Sequence, residues 1–383
     1  MSITMKSDSA PKRRRRVGVD FHVWDGIFQG SRSHILGLYK SVIRKAPDID
    51  FYFFLENTKH LREQHSEFAA DNVTLVSAKH LPGVVRLGVQ LPYLQLRHKL
   101  DLLHVQYRLP FLKFGPSACT IHDVLFETHP QFFGKGFVRQ SKITYRHAAR
   151  NSDLLFSVSQ FSKLEIERLY GPDLSPISVT YNAVDQNLFF PLPGGEDAVT
   201  KLGLEPGRYL LTVGRLEPRK NHIALIEAYA ELSEDTPPLI IVGQPDFSYE
   251  AIFGKIKDLK LTGRVKLLSD VEDQTLPAVI RHALVFVYPA FAEGFGMPVA
   301  EAMASGVPVI TSNTTSLPEV VGGAALLVDP HSIQDIAAAI RSVLANLELR
   351  SNMRKKGLEQ VQKFSWEGSA DVFLTAVRNF LFR

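Results

Sequence analysis

Residues 209–222 read YLLTVGRLEPRKNH, and this stretch decides the fold because it joins a buried strand to a helix. The run Tyr209–Val213 is short and apolar and ends at a glycine, which is typical of a strand in a parallel sheet covered on both faces. Asn221 is a good N-cap, so a helix is predicted to begin there. A strand followed at once by a helix is the repeating unit of a doubly wound α/β sheet.

The same alternation continues in both directions along the chain. Apolar strand candidates lie at Val17–Phe21, Phe51–Leu55, Val73–Ser77, Leu102–Gln106, Ala118–His122 and Leu154–Ser159 in the first half, and at Tyr209–Val213, Leu239–Val242, Val265–Leu268, Leu284–Tyr288, Pro308–Thr311 and Ala325–Val328 in the second. Amphipathic segments of helical length separate most of these runs. The sequence therefore predicts an α/β fold of two Rossmann-like, doubly wound parallel-sheet domains that face a cleft, with ligands at the carboxyl ends of the strands.

A break in the alternation separates the two halves. The residues that follow position 190 begin with PLPGGED, and prolines, glycines and polar residues are typical of a linker. The predicted organisation is a basic disordered tail at 1–16, an N-terminal domain at 17–190, a linker at 191–204, a C-terminal domain at 205–364, and a helix at 365–383 that packs back on the N-terminal domain.

Composition narrows the class of protein. Lys and Arg total 44 against 40 Asp and Glu, a net charge of +4 that is small for 383 residues. The single cysteine, Cys119, cannot form an intrachain disulfide, which fits a reducing cytosol. No apolar stretch reaches the ~20 residues that span a bilayer. We therefore expect a cytoplasmic protein, and any membrane contact is expected to be peripheral, on the inner face.

Much of the positive excess lies in one run, Lys12–Arg16. Three interpretations compete: a solvated tail, contact with anionic lipid headgroups at ~1 kcal/mol per basic residue, and nucleic-acid binding. Nucleic-acid binding is disfavoured because no basic stripe with interleaved aromatic residues follows the run. The apolar segment Leu81–Leu94 could meet the same lipid surface, although a core helix is the favoured interpretation.

Two long cations follow the strand of the opening stretch. Arg215 comes directly after Gly214, and Lys220 lies just before the helix. Arg215 can bind two phosphate oxygens at once, and Lys220 supplies a mobile point charge. Charges of this kind stabilise a departing diphosphate without a metal. The alternative is a solvated basic loop, and Arg219 is interpreted as a solvated neighbour.

A second stretch, YPAFAEGFGMPVAEAM at 288–303, carries two carboxylates. Glu293 follows a buried strand, in a loop where Gly294 and Gly296 let the backbone approach a ligand closely. A proline suits the first turn of the next helix, whose N-terminus attracts phosphate. Glu301 lies one turn into that helix, among apolar neighbours. A helix start with a solvated glutamate at each end is the alternative interpretation.

Together these motifs resemble glycosyltransferase family four, a family of retaining, nucleotide-sugar-dependent enzymes with the GT-B fold. The matching segments are GRLEPRKN at 214–221 and EGFGMPVAEAMASGVPV at 293–309. By this resemblance Arg215 and Lys220 bind the donor diphosphate, Glu301 binds the ribose, and Glu293 binds the transferred sugar. The resemblance also gives donor contacts to the base near Val271 and to the backbone of Gly294, Phe295, Gly296 and Met297.

The resemblance extends more weakly into the first half. His122 ends the strand Ala118–His122, where the family has a histidine that contacts the sugar, whereas position alone favours a packing residue. Gly30 opens a helix as the family's phosphate-binding glycine loop does, but Gln29 stands where an adjacent glycine is usual. Asn182 precedes the interdomain Val-Asp pair and is interpreted as a structural hinge residue.

The resemblance implies a retaining hexosyltransferase with His122, Arg215, Lys220 and Glu293 as its catalytic set. The N-terminal domain would bind a glycan or lipid-linked acceptor and the C-terminal domain a nucleotide-sugar. Mannose from GDP-mannose is the first guess, because the sequence looks like bacterial mannosyltransferases of surface polysaccharide assembly. No cofactor and no metal are expected, since the Asp-x-Asp at Asp48–Asp50 precedes a strand and is interpreted as a turn.

Two other functions stay open at the level of the sequence. One is a nucleotide-sugar epimerase or hydrolase of the same fold, and the other is a non-catalytic nucleotide-sugar-binding scaffold. A dinucleotide dehydrogenase is disfavoured, because no Gly-x-Gly-x-x-Gly follows the first strand.

Overall fold

The computed structural model describes residues 13–26, 30–246 and 249–383. The first sheet is built from β1 (Arg15–Asp20), β2 (Ile49–Leu55), β3 (Val73–Ser77), β4 (Leu102–Gln106), β5 (Ser117–Ile121), β6 (Leu154–Ser157) and β7 (Ile177–Val179). Its strand order is β3-β2-β1-β4-β5-β6-β7, and every pairing is parallel. The order reverses between β1 and β4, which makes that boundary the switch point of a doubly wound sheet.

Helices connect these strands. They are α1 (Gly30–Lys45), α2 (Thr58–Gln64), α3 (Gly83–Val85), α4 (Leu91–Arg97), α5 (Leu125–Thr128), α6 (Lys135–Asn151) and α7 (Gln160–Tyr170). A π-helical turn at Arg86–Gln90 joins α3 to α4. Because the helices cover both faces, consecutive strand residues such as Leu102 and Leu103 of β4 are fully buried.

The second sheet repeats the design with six strands. They are β8 (Leu210–Val213), β9 (Leu239–Val242), β10 (Val265–Leu268), β11 (Val285–Tyr288), β12 (Val309–Ser312) and β13 (Leu326–Val328), in the order β10-β9-β8-β11-β12-β13. The helices of this half are α8 (Glu196–Lys201), α9 (His222–Ala230), α10 (Glu250–Asp258), α11 (Leu276–Arg281), α12 (Met297–Ala304), α13 (Leu317–Val321), α14 (Ile333–Ala345), α15 (Leu347–Val361) and α16 (Trp366–Leu381). The predicted fold class, two Rossmann-like parallel-sheet domains, is confirmed.

The domain edges differ in detail from the prediction. β1 begins at Arg15, inside the predicted tail, and residues 1–12 lie outside the described residues. Arg13 and Arg15 pair with Asp101 at 3.2 and 3.3 Å, which ties the end of the basic run to the domain. Within the predicted linker, residues 196–201 form α8, since acidic residues in a first turn favour a helix.

The last helix, α16, returns to the first domain. Its residues Phe373, Leu374 and Val377 belong to the same buried cluster as Val17 and Val19 of β1. The first domain's core therefore contains side chains from both ends of the sequence.

Direct contacts join the two domains. The hydroxyls of Ser159 and Ser162 both donate to the carbonyl oxygen of Gly294, at 2.7 and 3.2 Å. The carboxylate of Glu319 accepts hydrogen bonds from the backbone N–H groups of Gln160 and Phe161, at 2.8 and 3.0 Å, in the first turn of α7. These contacts hold the loop after β11 against the first domain.

Candidate active site

Neighbouring strands carry the predicted lysine and carboxylate. β8 and β11 pair where the order of the second sheet reverses. Lys220 ends a 3-10 turn after β8, and Glu293 follows β11. The two side chains form an ion pair, and the Tyr288 hydroxyl lies 2.8 Å from each. The structure therefore brings two of the predicted site residues together at the carboxyl ends of the strands.

Asn221 fixes the turn that aims Lys220. Its backbone is left-handed, with φ at 60°, and its side chain makes no cap hydrogen bond to α9. The amide instead donates to the carbonyl oxygens of Pro289 and Pro330, at 2.9 and 2.7 Å. The predicted cap position is confirmed, since α9 begins directly after Asn221, but the side-chain cap bond is absent because the amide ties the turn to the loops after β11 and β13.

Arg219 belongs to the site, although the sequence did not indicate it. It was interpreted as solvated, but its guanidinium lies 3.1 Å from Glu293, donates to the Ala292 carbonyl at 2.7 Å, and pairs with Glu217 at 2.6 Å. The interpretation is wrong because the 3-10 turn Pro218–Lys220 directs neighbouring side chains toward one loop. The available signal was Glu217, an acid placed two positions before the arginine.

Glu293 is held in its ionised form. Burial alone would raise its pKa, but the charges of Arg219 and Lys220 outweigh that effect and lower the pKa of Glu293 to about 2. The hydrogen bonds that a buried carboxylate accepts from two cations are charge-assisted, and they favour its ionised form. The arrangement presents a fixed negative group and two fixed positive groups in one small volume.

Arg215 does not join this cluster. It follows β8 as predicted, but its side chain is 47% exposed and pairs with Asp246 at 2.6 Å. The ion pair directs Arg215 toward the loop after β9. Of the two predicted diphosphate cations, therefore, one lies beside Glu293 and the other at a neighbouring loop.

Glu301 follows Glu293 by eight residues and takes no part in its ion pairs with Arg219 and Lys220. It lies in α12 and is partly buried, and no hydrogen bond or ion pair to its carboxylate occurs within the described residues. Burial raises the pKa of Glu301 to about 7. A carboxylate without protein partners has free capacity for the hydrogen bonds of a bound hydroxyl pair.

The loop before α12 has glycines that let its backbone approach a ligand closely, and it has apolar side chains that pack in the core. Gly296 has φ at 102°, a left-handed conformation that favours glycine, and α12 starts at Met297. A side chain on Gly294 would collide with Asp123 of the first domain. The Phe295 ring is buried in the second domain's core and Met297 packs on it, so at these positions the backbone is the part left for a ligand.

His122 follows β5 and is almost fully buried. Its Nε2 donates to Gln106 Oε1 at 2.7 Å, and the ring of Tyr107 stacks on it with the ring centres 4.7 Å apart. Burial and the neighbouring histidines His34 and His104 lower the pKa of His122 well below its usual value. The imidazole is therefore neutral, with Nδ1 as a hydrogen-bond acceptor.

The remaining predicted residues lie around this centre. Gly30 starts α1, in open space, next to residues 27–29, which include Gln29 and lie outside the described residues. Val271 follows β10 and packs partly on the second domain's core. Asn182 is buried and accepts a hydrogen bond from His34 Nδ1 at 2.8 Å, and its role as a hinge residue stays a prediction.

The described chain contains no cluster of three or more His, Cys, Asp or Glu side chains that could hold a metal ion. The two aspartates of the Asp-x-Asp sequence are engaged elsewhere: Asp48 pairs with Arg378 at 2.6 Å and Asp50 with Arg14 at 3.5 Å. Metal independence stays a prediction.

Comparison with known proteins settles the family. The family model for glycosyl transferases group 1 matches residues 196–360, and the model for glycosyltransferase family 4 matches residues 28–188. The O-antigen chain mannosyltransferase B of Escherichia coli is 35% identical over 267 residues, which cover 68% of this chain and 70% of that protein. The chain belongs to glycosyltransferase family four. It is an enzyme of the glycosyltransferase class.

A further relative and two solved structures are also similar to this glycosyltransferase. The serotype-specific mannosyltransferase WbdA of Escherichia coli is 27% identical over 69% of this chain, which spans only 34% of that relative. Among solved structures, sucrose-phosphate synthase from Thermosynechococcus elongatus aligns over 96% of this chain and 99% of its own, with a TM-score of 0.78 at 20% identity. HepE from Anabaena, solved with UDP and glucose, covers 96% of this chain and 100% of its own, with a TM-score of 0.74 at 20% identity. These structures show the GT-B fold.

Proposed function

We propose that this glycosyltransferase moves a hexose, with mannose from GDP-mannose as the first candidate, onto a glycan or lipid-linked glycan of a surface polysaccharide, with retention of configuration. The similarity to an O-antigen mannosyltransferase supports the sugar and the acceptor class. The observation that carries the proposal is the cluster of Arg219, Lys220 and Glu293 at the switch point of the second sheet, whose loop lies against His122 of the first domain.

The cluster suits the departure of a diphosphate. When the bond between the anomeric carbon and the phosphate oxygen breaks, negative charge grows on that oxygen, and fixed cations stabilise it. Lys220 and Arg215 both follow β8, so both side chains start at the carboxyl end of that strand. We propose that these cations serve in place of a metal.

Retention follows in this proposal from attack on the face that the diphosphate leaves. The acceptor oxygen forms its bond to the anomeric carbon on that face, and its proton passes to the departing phosphate oxygen. Glu293 and the neutral His122 then act by binding sugar hydroxyls, so that catalysis depends on positioning and charge.

The test is a panel of nucleotide-sugars. The purified protein is incubated with each donor, with and without an extract of lipid-linked glycans, and free nucleoside diphosphate is measured. We expect release with GDP-mannose that depends on acceptor, and an α-linked product in the anomeric proton spectrum. The Lys220→Ala variant serves as the inactive control.

Other outcomes assign other functions. Release at the same rate with and without acceptor would indicate an epimerase or hydrolase, and binding without any release would indicate a scaffold. A β-linked product would contradict retention. Activity that is lost with a chelator and restored by a divalent cation would contradict metal independence.

We further propose that the first domain lies on an anionic membrane surface through α6. This helix carries basic residues at positions spaced by three or four, so they share one face, and its 17 residues include no acid. The residues of this basic face are Lys135, Arg139, Lys142, Arg146 and Arg150. Exposed Ile143 lies beside it, and the ring of exposed Phe111 lies 4.9 Å from that of His147.

The sequence indicated two other membrane-contact candidates, the basic run Lys12–Arg16 and the apolar segment Leu81–Leu94. The described part of the basic tail is more fully neutralised than α6: Arg13, Arg14 and Arg15 each pair with an aspartate. On the basic face of α6, Lys142 pairs with Glu127 at 3.1 Å, and no other member forms an ion pair within the described residues. The segment Leu81–Leu94 is divided: Leu87 and Leu91 are buried, whereas Val84 and Val89 are exposed. Within the described residues, no helix has the length and apolar character to cross a bilayer.

Vesicle binding tests the membrane proposal. We expect sedimentation with phosphatidylcholine vesicles only when phosphatidylglycerol is included, since each basic residue contributes ~1 kcal/mol near such a surface. Reversal of two charges, Lys135→Glu with Arg139→Glu, is expected to weaken binding about 30-fold or more. The exposed pair Lys355→Glu with Lys356→Glu in α15 is the matched control. Equal binding by both variants would refute the assignment to α6.

A further inference from the structure

Asp123 follows His122 at the end of β5 and faces the second domain. An ideal Cβ placed on Gly294 would lie 2.9 Å from Asp123 Cβ and 3.1 Å from its Oδ2. The aspartate side chain therefore occupies the space beside the Cα of Gly294, next to the loop that carries Glu293. Two carboxylates, one from each domain, thus flank the same part of the cleft.

One oxygen of Asp123 is used by the protein and the other is available. Oδ1 accepts a hydrogen bond from the backbone N–H of Leu125 at 3.1 Å. Within the described residues, no donor bonds to Oδ2. The side chain is only partly buried, so the second oxygen can receive a hydrogen bond from a molecule in the cleft.

The charges of the cluster reach Asp123. Burial raises the pKa of Asp123, Arg219 and Lys220 oppose that shift, and Glu293 adds to it. The aspartate is therefore electrostatically part of the same centre, although it belongs to the other domain. Sequence reasoning did not single it out, because its distance from Gly294 arises only when the domains meet.

The chemistry of a carboxylate limits what it can bind. Its negative charge repels a diphosphate, so Asp123 is not a diphosphate ligand. A carboxylate accepts hydrogen bonds from hydroxyl groups, and each sugar presents several. Glu293, on the second domain, is already assigned to the transferred sugar. Asp123 lies on the first domain, the side of the cleft from which the acceptor sugar would enter.

Tyr107 makes this wall of the first domain rigid. It follows β4 with φ at 66°, a left-handed conformation that costs a non-glycine residue of order 1–3 kcal/mol and persists only where surrounding contacts impose it. Its ring stacks on His122, which precedes Asp123. Tyr107 therefore holds His122 in place, and this restricts the movement of the adjacent Asp123.

We propose that Asp123 binds a hydroxyl group of the acceptor sugar through Oδ2 and so positions the attacking oxygen beside Glu293. This inference rests on the proposed transferase function. The acceptor is a hydroxyl-bearing sugar, and Asp123, the residue after His122, contacts it.

The test separates acceptor binding from donor chemistry. In Asp123→Asn the amide oxygen keeps the hydrogen bond to Leu125, while the charge at the second position is lost. We expect the acceptor KM to rise about 10-fold to 100-fold, because a hydrogen bond to a charged group is lost. The donor KM and the slow donor hydrolysis without acceptor should change by a much smaller factor than the acceptor KM, because Asp123 reaches the donor cations only through its charge and not by contact.

The control is Asp153→Asn, the same substitution near the amino end of β6, where Asp153 accepts from the Ser117 backbone at 2.7 Å. It should leave both KM values unchanged. If Asp123→Asn does not fold, Asp123→Ser replaces it, because a serine hydroxyl can also accept from the backbone two residues on.

An unchanged acceptor KM would overturn the inference, and so would an equal loss of donor hydrolysis, which would place Asp123 on the transferred sugar. Wild-type protein that transfers from none of the donors would refute the proposed function instead. The two failures are therefore distinguishable.

Discussion

Two cations share a single carboxylate in this protein. Lys220 and Arg219 both contact Glu293, and Tyr288 adds a hydroxyl to the same oxygen. Removing either cation leaves Glu293 buried with one cation instead of two. Removing Glu293 leaves Lys220 buried without its acidic partner, whereas Arg219 keeps its pair with Glu217. Mutation at this centre therefore tests charge placement as much as ligand contact.

The first prediction concerns the diphosphate cations. Lys220→Ala and Arg215→Ala are each expected to lower kcat by about 10²-fold to 10³-fold, because each removes a charge that stabilises the leaving group. Nucleoside diphosphate release under saturating donor measures the effect, and circular dichroism reports the fold.

Arg208→Ala is the matched control, since Arg208 precedes β8 and forms an exposed pair with Glu205 at 3.0 Å. It should retain full activity. Wild-type turnover in Lys220→Ala or Arg215→Ala would show that the assigned role is wrong for that residue.

Glu301 predicts a pH dependence of stability. Its pKa is raised from 4.5 to about 7 by burial, so between these values the folded chain holds the proton more tightly than the unfolded chain does. The contribution of Glu301 to the free energy of unfolding therefore falls as pH rises through this interval. We expect the Tm of wild type to drop more between pH 5 and pH 8 than the Tm of Glu301→Gln, as thermal melts would measure.

Nucleotide binding gives the complementary readout. Ribose hydroxyls that donate to the carboxylate favour its ionised form, so GDP should release a proton near neutral pH in wild type but not in Glu301→Gln. Calorimetry in two buffers of different ionisation enthalpy detects it. Equal proton release by both proteins would remove Glu301 from the nucleotide site.

At the scale of elements, α7 receives part of its N-terminal cap from the other domain. Ser159 accepts from Ser162 within the helix's own domain, whereas Glu319 of α13 accepts from Gln160 and Phe161. A helix N-terminus favours a negative charge, so this contact joins the domains through a helix dipole. The helix end is complete only when the two domains meet.

The element-scale prediction follows from this cap. Glu319→Ala should lower the free energy of unfolding by about 1–3 kcal/mol, because two backbone donors lose a charged acceptor. It should also raise the donor KM, since the contact holds the cleft together. Urea unfolding and steady-state kinetics measure the two effects.

Ser332→Ala supplies the comparison, because Ser332 caps α14 inside one domain by accepting from Asp335 at 3.1 Å. It should lose about 1 kcal/mol of stability without any change in donor KM. If Glu319→Ala also leaves KM unchanged, the interdomain cap has only a structural role.

The elements were the part that the sequence predicted well. Strand runs such as Leu239–Val242 and Val265–Leu268 match β9 and β10 residue for residue, because burial on both faces imposes a local apolar pattern. Contacts between separate loops leave no such pattern. The burial of Arg219 and the approach of Asp123 to Gly294 depend on two strands or two domains meeting, so the sequence alone could not supply them.

At the scale of the whole molecule, α16 stabilises the first domain by packing on α1. Gly37 of α1 lies under the Trp366 ring, and an added Cβ would fall 2.2 Å from a ring atom. We expect Gly37→Ala to lower the free energy of unfolding by about 1–3 kcal/mol, since overpacking forces the ring or the helix to move. Denaturant unfolding followed by tryptophan fluorescence measures it.

Gly254→Ala in α10 is the matched control, because nothing lies within 4 Å of a Cβ at that position. A helix-interior alanine there should instead stabilise the protein by up to about 1 kcal/mol. Equal effects of the two substitutions would mean that the fit of Trp366 on α1 contributes nothing to stability.

The return of α16 to β1 has a consequence for biosynthesis. While the ribosome is still translating the second domain, the nascent first domain lacks Phe373, Leu374 and Val377, and its apolar interior is incompletely filled. The first domain therefore cannot reach its full stability during synthesis, because it needs α16, which is made after the second domain. Chaperone occupancy should therefore persist on the emerging N-terminal half until α16 has left the ribosome and can pack on it.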